Sequence, residues 1–360
     1  MPITIPSRKK VIQDIKNRGG MVAAVLPIHY PRALLRAFEI FPVEVWGPPR
    51  VDVSLGSAHL QSYVCSIVQN SLSFIKMGEL DFASLILIPH TCDSLQGLTS
   101  VLMDLVKPRP PLFSLYLPRG QREEGVVFLA AELRSLYAGL SELTGRKPTD
   151  AELLAAIERE ELSDQLLSRL YSQRLTLGLG NLDFYRLLRS REYLSAEDFA
   201  ALAESALQTQ VAPQSGTPLM LSGILPEPMA VLDVIEKVNG LVVADDLACC
   251  GRRLYQPGPS AEPFRRMAES LISAPPDPTR GNPISERVQY LTDMAAKSGA
   301  RGVLFYDVKF CEPELFDLPE LRRALKEQGL ASLNIEVDIN NPLPHQTATR
   351  IGAFLEMLNH

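Results

Sequence analysis

No apolar run in this sequence approaches the roughly 18–20 residues that a helix needs to cross a bilayer. The N-terminal stretch MPITIPSRKKVIQDIKNRGG is polar and basic, with no adjoining secretory cleavage site. The expectation is therefore a cytoplasmic protein with no membrane association. Neither sign of charge dominates: 36 Lys and Arg face 42 Asp and Glu, a net of −6. That balance offers no electrostatic footprint for nucleic acid. Cysteine is scarce and odd in number, five in 360 residues. An odd count without an export signal argues against a disulfide framework. No CxxC pair or Cys/His doublet has structural zinc spacing. The single tryptophan, Trp46, is expected in the core or a cleft wall.

What is present is alternation. The length exceeds one ordinary core and fits two domains. Short apolar runs at 21–27, 43–47, 85–90 and 112–118 read as strands. Helical spacing of apolar residues separates them at 31–41 and 59–75. Buried strands alternating with amphipathic helices predict a parallel sheet with helices on its faces. From 123 to 210 the strand signals stop, and leucine and alanine recur at helical spacing. Thr149 or Asp150 is the expected cap of one helix there, and Ser195 of another. The Pro/Gly/Ser-rich run VAPQSGTP then crosses into a second alternating region, with strands in LMLSG, LVVADD, GVLFYDV and ASLNIEVD. The fold class is α/β: two doubly wound, Rossmann-like parallel-sheet domains at 1–122 and 211–360, with a helical segment at 123–210 between them.

Two cysteines fall where such sheets bind ligands. Cys92 follows the strand at 85–90, in PHTCDS, and Cys311 follows GVLFYDV, in KFCEPE. Both sit beyond the carboxyl ends of strands, one in each domain. Cys65 is placed on the helix before the Cys92 strand, within reach of the same edge. A set of three soft thiolates selects iron–sulfur, zinc or copper(I) over magnesium or calcium. Buried cysteines serving as small core hydrophobes are the competing explanation, and spacing alone leaves the choice open. His90, near Cys92, reads more readily as a neighbour of the site than as a ligand.

At these residues the sequence resembles the 2-hydroxyacyl-CoA dehydratase and benzoyl-CoA reductase subunits, of the iron–sulfur D-component type. The opening GGMVAAVLPIHYPRALLRAFEIFPVEVWG, the strand-end PHTCDS and the helical LSELTGRKPTDAELLAAI carry the first part of the likeness. LSGILPEPMAVLDVIEKVNGLVVADDLACCGRR, VKFCEPELFDLPELRRALKEQGLASLNIEVD and TRIGAFLEML carry the rest, in the family's order. The resemblance implies a [4Fe–4S] cluster on Cys65, Cys92 and Cys311, with one iron open to water, sulfide or substrate. It implies an acyl-CoA thioester substrate, a second subunit of the same family, and an ATP-dependent iron–sulfur activator that delivers low-potential electrons. One-electron reduction to a ketyl-type radical then leads to dehydration or to ring reduction. Two alternatives use the same fold: an iron–sulfur reductase of other small molecules, and a non-catalytic electron-relay subunit.

Other residues invite paired readings. His29 and Tyr30, in PIHYP, are candidate proton donors or an ordinary polar turn at a strand end. Asp93 is expected to orient the loop of its neighbouring cysteine. Arg252 and Arg253, in ADDLACCGRR, are candidates to contact CoA phosphates, or else solvated turn arginines. Cys249 and Cys250 are candidate extra ligands, although adjacent thiols do not easily share one cubane. Glu336 and Asp338 end the last strand. Many members of the resembled family carry an acid after the proline opening the first helix; here the run is Pro31-Arg32-Ala33.

Overall fold

The computed structural model describes residues 4–46, 48–120 and 122–359. The first sheet is built from β1 (Met21–Val25), β2 (Ile40–Glu44), β3 (Leu85–His90) and β4 (Leu112–Tyr116). Its helices are α1 (Arg8–Asn17), α2 (Arg32–Ala37), α3 (Ser54–Ser57), α4 (Ser66–Lys76) and α5 (Asp93–Val101). Then come four helices without a strand: α6 (Glu123–Thr144), α7 (Asp150–Ser172), α8 (Asn181–Ser190) and α9 (Ala196–Gln208). The second sheet holds β5 (Thr217–Gly223), β6 (Gly240–Leu247), β7 (Gly302–Val308) and β8 (Ala331–Val337). Around it lie α10 (Ala230–Lys237), α11 (Pro263–Ile272), α12 (Ile284–Ser298), α13 (Glu312–Glu327) and α14 (His345–Asn359).

Both sheets are parallel throughout, ordered β2-β1-β3-β4 and β6-β5-β7-β8. In each, the first strand lies between the second and the third. The winding reverses there, and a crevice opens at the carboxyl ends of β1 and β3, and of β5 and β7. Helices cover both faces, so β7 is buried at every residue and β1 at all but its first. The edge strands β4 and β8 are partly exposed. One apolar cluster runs from Ile86 and Ile88 through Leu166, Phe184 and Phe199 to Leu219 and Ile351. Helices α7, α8 and α9 thus share a core with both sheets, while α6 packs in a second cluster against the first sheet. Among the described residues, no helix is long and apolar enough to cross a membrane.

Local signals explain most boundaries. Thr149 caps α7 in a reciprocal box: its side chain accepts from Glu152 N–H, and Glu152 accepts from Thr149 N–H. Ser195 caps α9 by accepting from Asp198 N–H at 3.0 Å. Several elements differ from expectation: the helix expected over 31–41 ends at Ala37, the strand expected over 112–118 ends at Tyr116, and α1, α3 and α5 have no expected counterpart. The second strand begins at Ile40, before Pro42, because β2 is an edge strand where a missing N–H costs nothing; Gly47, its expected end, lies outside the described residues. The helix expected over 59–75 starts only at Ser66. Helix α11 has no counterpart among the expected elements, although Glu262 caps it through Phe264 and Arg265 N–H, with Pro263 in its first turn.

Candidate functional site

Cys65, Cys92 and Cys311 share one local setting: each is the N-cap of a helix, of α4, α5 and α13 respectively. Cys65 therefore stands before its helix, not on it. Its extended backbone, φ −59° and ψ 149°, breaks the run that periodicity carried back to His59. Cys92 follows the end of β3 by two residues, and Cys311 follows β7 by three. Phe310, just before Cys311, has φ 63°, a left-handed conformation uncommon outside glycine that turns the chain out of the strand and into α13.

The three cysteines sit in a mostly buried setting. Cys65 and Cys311 are buried, and Cys92 is half-buried. Burial pushes all three thiols up, and Cys92 reaches about 12. Next in effect on Cys92 is the Cys65 charge, and the Cys311 thiol is raised by both of the others. Opposing this, backbone N–H groups favour the thiolates: Val68 and Ile67 at Cys65, Leu95 and Ser94 at Cys92, and Glu314 at Cys311. Among the described residues, no group of three His, Cys, Asp or Glu side chains is placed to hold a single metal ion.

A cavity of about 300 Å³ opens onto Cys92, with Arg119, Thr279, Glu312 and Phe316 in its walls. A second, of about 120 Å³, reaches Cys92 past His90, Tyr116 and Arg280. Cys92 is the accessible member of the trio. Asp93 projects outward at the cavity mouth, its side chain 85% exposed and 3.8 Å from the exposed Arg119. His90 Nε2 bonds Thr99 Oγ1 at 2.8 Å, and its ring stands edge-on to Tyr116.

The two arginines after β6 lie inside the protein and are not solvated. Arg252 Nε and Nη2 donate to Asp246 at 2.8 and 3.2 Å, and Nη1 donates to Glu314 at 2.6 Å. Arg253 donates to Glu44 at the end of β2. Neither guanidinium faces solvent, where a CoA phosphate would approach. Arg287, on α12, shares Glu314 and Asp246 with Arg252.

His29 and Tyr30 are placed apart from the cysteine cavities. His29 is fully buried, with Nδ1 2.9 Å from Tyr255 Oη and Nε2 3.5 Å from Asp277 Oδ2. Burial lowers its pKa to about 4 against the pull of Asp277, so the ring is neutral. Tyr30 Oη accepts from Arg32 Nε at 3.0 Å, and burial pushes its phenol well up. Arg32, at the position where many members of the resembled family carry an acid, is itself buried and donates to Glu44 at 3.0 Å. Burial alone would raise Glu44, but Arg253 and Arg32 overcome it and hold the carboxyl at about 2. Asp277 is held far below the usual range as Arg252 and His29 outweigh its burial. Cys249 and Cys250 are buried with sulfurs 3.5 Å apart, beside Asp245, which accepts from Tyr171 and Tyr185 hydroxyls at 2.7 and 2.8 Å.

Glu44, Asp277 and Glu314 do not stand out in the sequence. Two of them carry a local signal. Glu314 stands three residues after Cys311, in the first turn of the helix it caps, and Asp277 precedes a proline as a turn cap. Nothing local marks Glu44.

Comparison with known proteins matches residues 27–358 to the family described as 2-hydroxyglutaryl-CoA dehydratase, D-component. The (R)-phenyllactyl-CoA dehydratase beta subunit of Clostridium sporogenes is 27% identical over 98% of this chain and 95% of its own. The beta subunit of lactoyl-CoA dehydratase from Anaerotignum propionicum is 26% identical over 97% and 95%. A benzoyl-CoA reductase subunit of Thauera aromatica is 24% identical over 94% and 90%.

Proposed function

From the premise that this chain belongs to the 2-hydroxyglutaryl-CoA dehydratase D-component family, we propose that it is the [4Fe–4S] subunit of an enzyme acting on an acyl-CoA thioester. The supporting observation is the convergence of Cys65, Cys92 and Cys311 at three helix N-termini, two of them at the crevices of the two sheets. A cubane takes each cysteine on a different iron, so it suits thiols gathered from separate elements. When bound, it supplies one-electron transfer together with Lewis-acid polarisation of a thioester carbonyl.

The residues fit that charge. Ionising three buried thiols is costly, as their raised pKa values state. The N–H groups and positive ends of α4, α5 and α13 oppose that cost at each sulfur. Cys65 and Cys311 lie behind, away from water, while Cys92 faces the cavity through which an electron donor or substrate approaches. The partners in this reading are a second subunit of the same family and an ATP-dependent iron–sulfur activator. Both dehydratases and a reductase are among the relatives. A second reading, electron relay to the partner subunit, is favoured by Arg32: the start of α2 presents a buried, paired guanidinium in place of a carboxylate.

The test is anaerobic reconstitution with iron and sulfide. The wild type is expected to turn brown and hold roughly four irons per chain. Cys65→Ala, Cys92→Ala and Cys311→Ala each lose iron, and Cys249→Ala keeps it. A colourless wild-type protein would sink the cluster, and loss of iron in Cys249→Ala alone would sink the ligand set. Turnover of a 2-hydroxyacyl-CoA or of benzoyl-CoA, with partner, activator and ATP, separates catalysis from relay.

A further inference from the structure

Arg252 is heavily engaged with carboxylates near the cysteines. It is fully buried in the turn that follows β6. Its guanidinium reaches three carboxylates from three different segments. Nε and Nη2 hold Asp246 at the end of β6, Nη1 donates to Glu314 at 2.6 Å, and Nη1 lies 3.6 Å from Asp277. Nη2 also donates to the Asp246 carbonyl at 2.9 Å.

Two of those carboxylates lead to the site. Glu314 lies in the first turn of α13, three residues after the N-cap Cys311, and its backbone N–H favours the Cys311 thiolate. Asp277 caps the turn Pro278–Arg280 by accepting from Thr279 N–H and Oγ1 at 2.7 and 2.6 Å. Pro278 and Thr279 of that turn wall the cavity onto which Cys92 opens. One planar cation therefore ties the helix behind Cys311 to the wall beside Cys92.

We propose that Arg252 is a positioning residue for the cysteine site, clamping the helix capped by Cys311 against the turn that walls Cys92. The consequence for the cluster rests on the reading given above; the clamp itself does not. Geometry makes the role specific to arginine. Donors in a fixed fork bond two carboxylates, Asp246 and Glu314, while the same Nη1 holds Asp277 by charge at 3.6 Å; a lysine ammonium in the same place is a compact charge that cannot span them. Arg252→Lys keeps the buried positive charge and removes the fork.

The experiment uses Arg252→Lys and Glu314→Gln, with Arg323→Lys as control. Arg323 pairs with Glu320 and Glu327 on the exposed face of the same helix. Alkylation of Cys311 by iodoacetamide in the metal-free protein is mapped by peptide mass, and both test variants are expected to react at least about fivefold faster than wild type. After anaerobic reconstitution, iron per chain is expected to fall by about half or more. The remaining cluster is expected to show shifted EPR g-values and midpoint potential. Arg323→Lys matches wild type throughout. Wild-type alkylation rates and spectra in both folded variants would overturn the clamp, and so would a failure of both to fold, which assigns the network to stability alone. If Arg252→Lys alone fails to fold, Glu314→Gln decides. Wild-type protein that takes up no iron sinks the cluster reading but leaves the alkylation result to stand or fall by itself.

Discussion

Arg253, in the turn after the second sheet's β6, donates to Glu44 at the end of β2 in the first sheet. The pair is buried on both sides and links the turn after β6 to the end of β2. Glu44 also accepts from Arg32 at 3.0 Å and faces Trp46 Nε1 at 3.4 Å, so one carboxylate neutralises two cations. Removing one partner of a buried ion pair leaves an uncompensated charge, at a cost of about 3–5 kcal/mol. Glu44→Gln is expected to lower stability by that amount, read from the urea midpoint at unchanged m-value. A loss below about 1 kcal/mol would show that this ion pair contributes little to holding the two sheets together.

His29 sets a pH dependence of known sign. Burial holds its folded pKa at about 4 against an ordinary value of 6.5. Between those values the unfolded chain binds a proton that the folded chain refuses. The His29 contribution is therefore full above pH 6.5 and is lost as pH drops toward 4, by up to about 3 kcal/mol. Glu44 adds loss of the same sign only at lower pH, below about 4.5. The comparison that isolates His29 is wild type against His29→Asn between pH 7 and pH 5. The variant is expected to be less stable at pH 7, having lost the Tyr255 bond, but to show a flatter slope. Equal slopes would mean that His29 is not the group titrating.

The strands that position the site were legible because both their faces are covered: LILIP and GVLFYDV have no polar alternation to mistake for anything else. Cys92 and Cys311 were legible for the same reason, since strand end and switch point follow once the strands are known. Cys65 was only half legible. Apolar spacing continues through the turn before α4, and periodicity does not register where the backbone becomes extended. The pairing of the buried charges was not legible. Arg252 and Arg287 look like surface residues in any local window, Glu314 is marked only by its place after Cys311, and only the tertiary fold brings their opposite charges together. Arg252 and Arg253 read as surface arginines in sequence, whereas their carboxylate partners occupy them from within.

Asp93 offers a clean separation of structure from function. Its carboxylate is 85% exposed and its one ion pair joins an equally exposed Arg119. Pairs of that kind contribute at most about 1 kcal/mol. Asp93→Asn is expected to shift stability by less than about 0.5 kcal/mol and to leave iron loading at the wild-type level. Any change in turnover would then report on the cavity mouth. A loss of iron in this variant would instead place Asp93 in the support of the Cys92 cap.

Gly251 opens the turn that carries both buried arginines, and it has no room for a side chain. A Cβ there would stand 2.0 Å from the Asp245 carbonyl oxygen and 2.8 Å from its Oδ1. The contact is with backbone, and Gly251 N–H is already bound to Asp245 Oδ1 at 2.8 Å, so the turn cannot slide away without breaking that bond. Asp245 in turn holds Tyr171 and Tyr185 of the helical segment. Gly251→Ala is expected to cost about 3 kcal/mol or more, at the upper end of overpacking effects. It also displaces Arg252, so Cys311 is expected to alkylate faster in whatever fraction folds. Gly97→Ala is the matched control: it sits in α5, meets nothing within 4 Å, and is expected to stabilise by about 0.5–1 kcal/mol. Thermal and urea melts of the two variants side by side test the contrast. A Gly251→Ala protein as stable as wild type would show that the arginine turn tolerates movement, which would weaken the case for a rigid clamp behind Cys311.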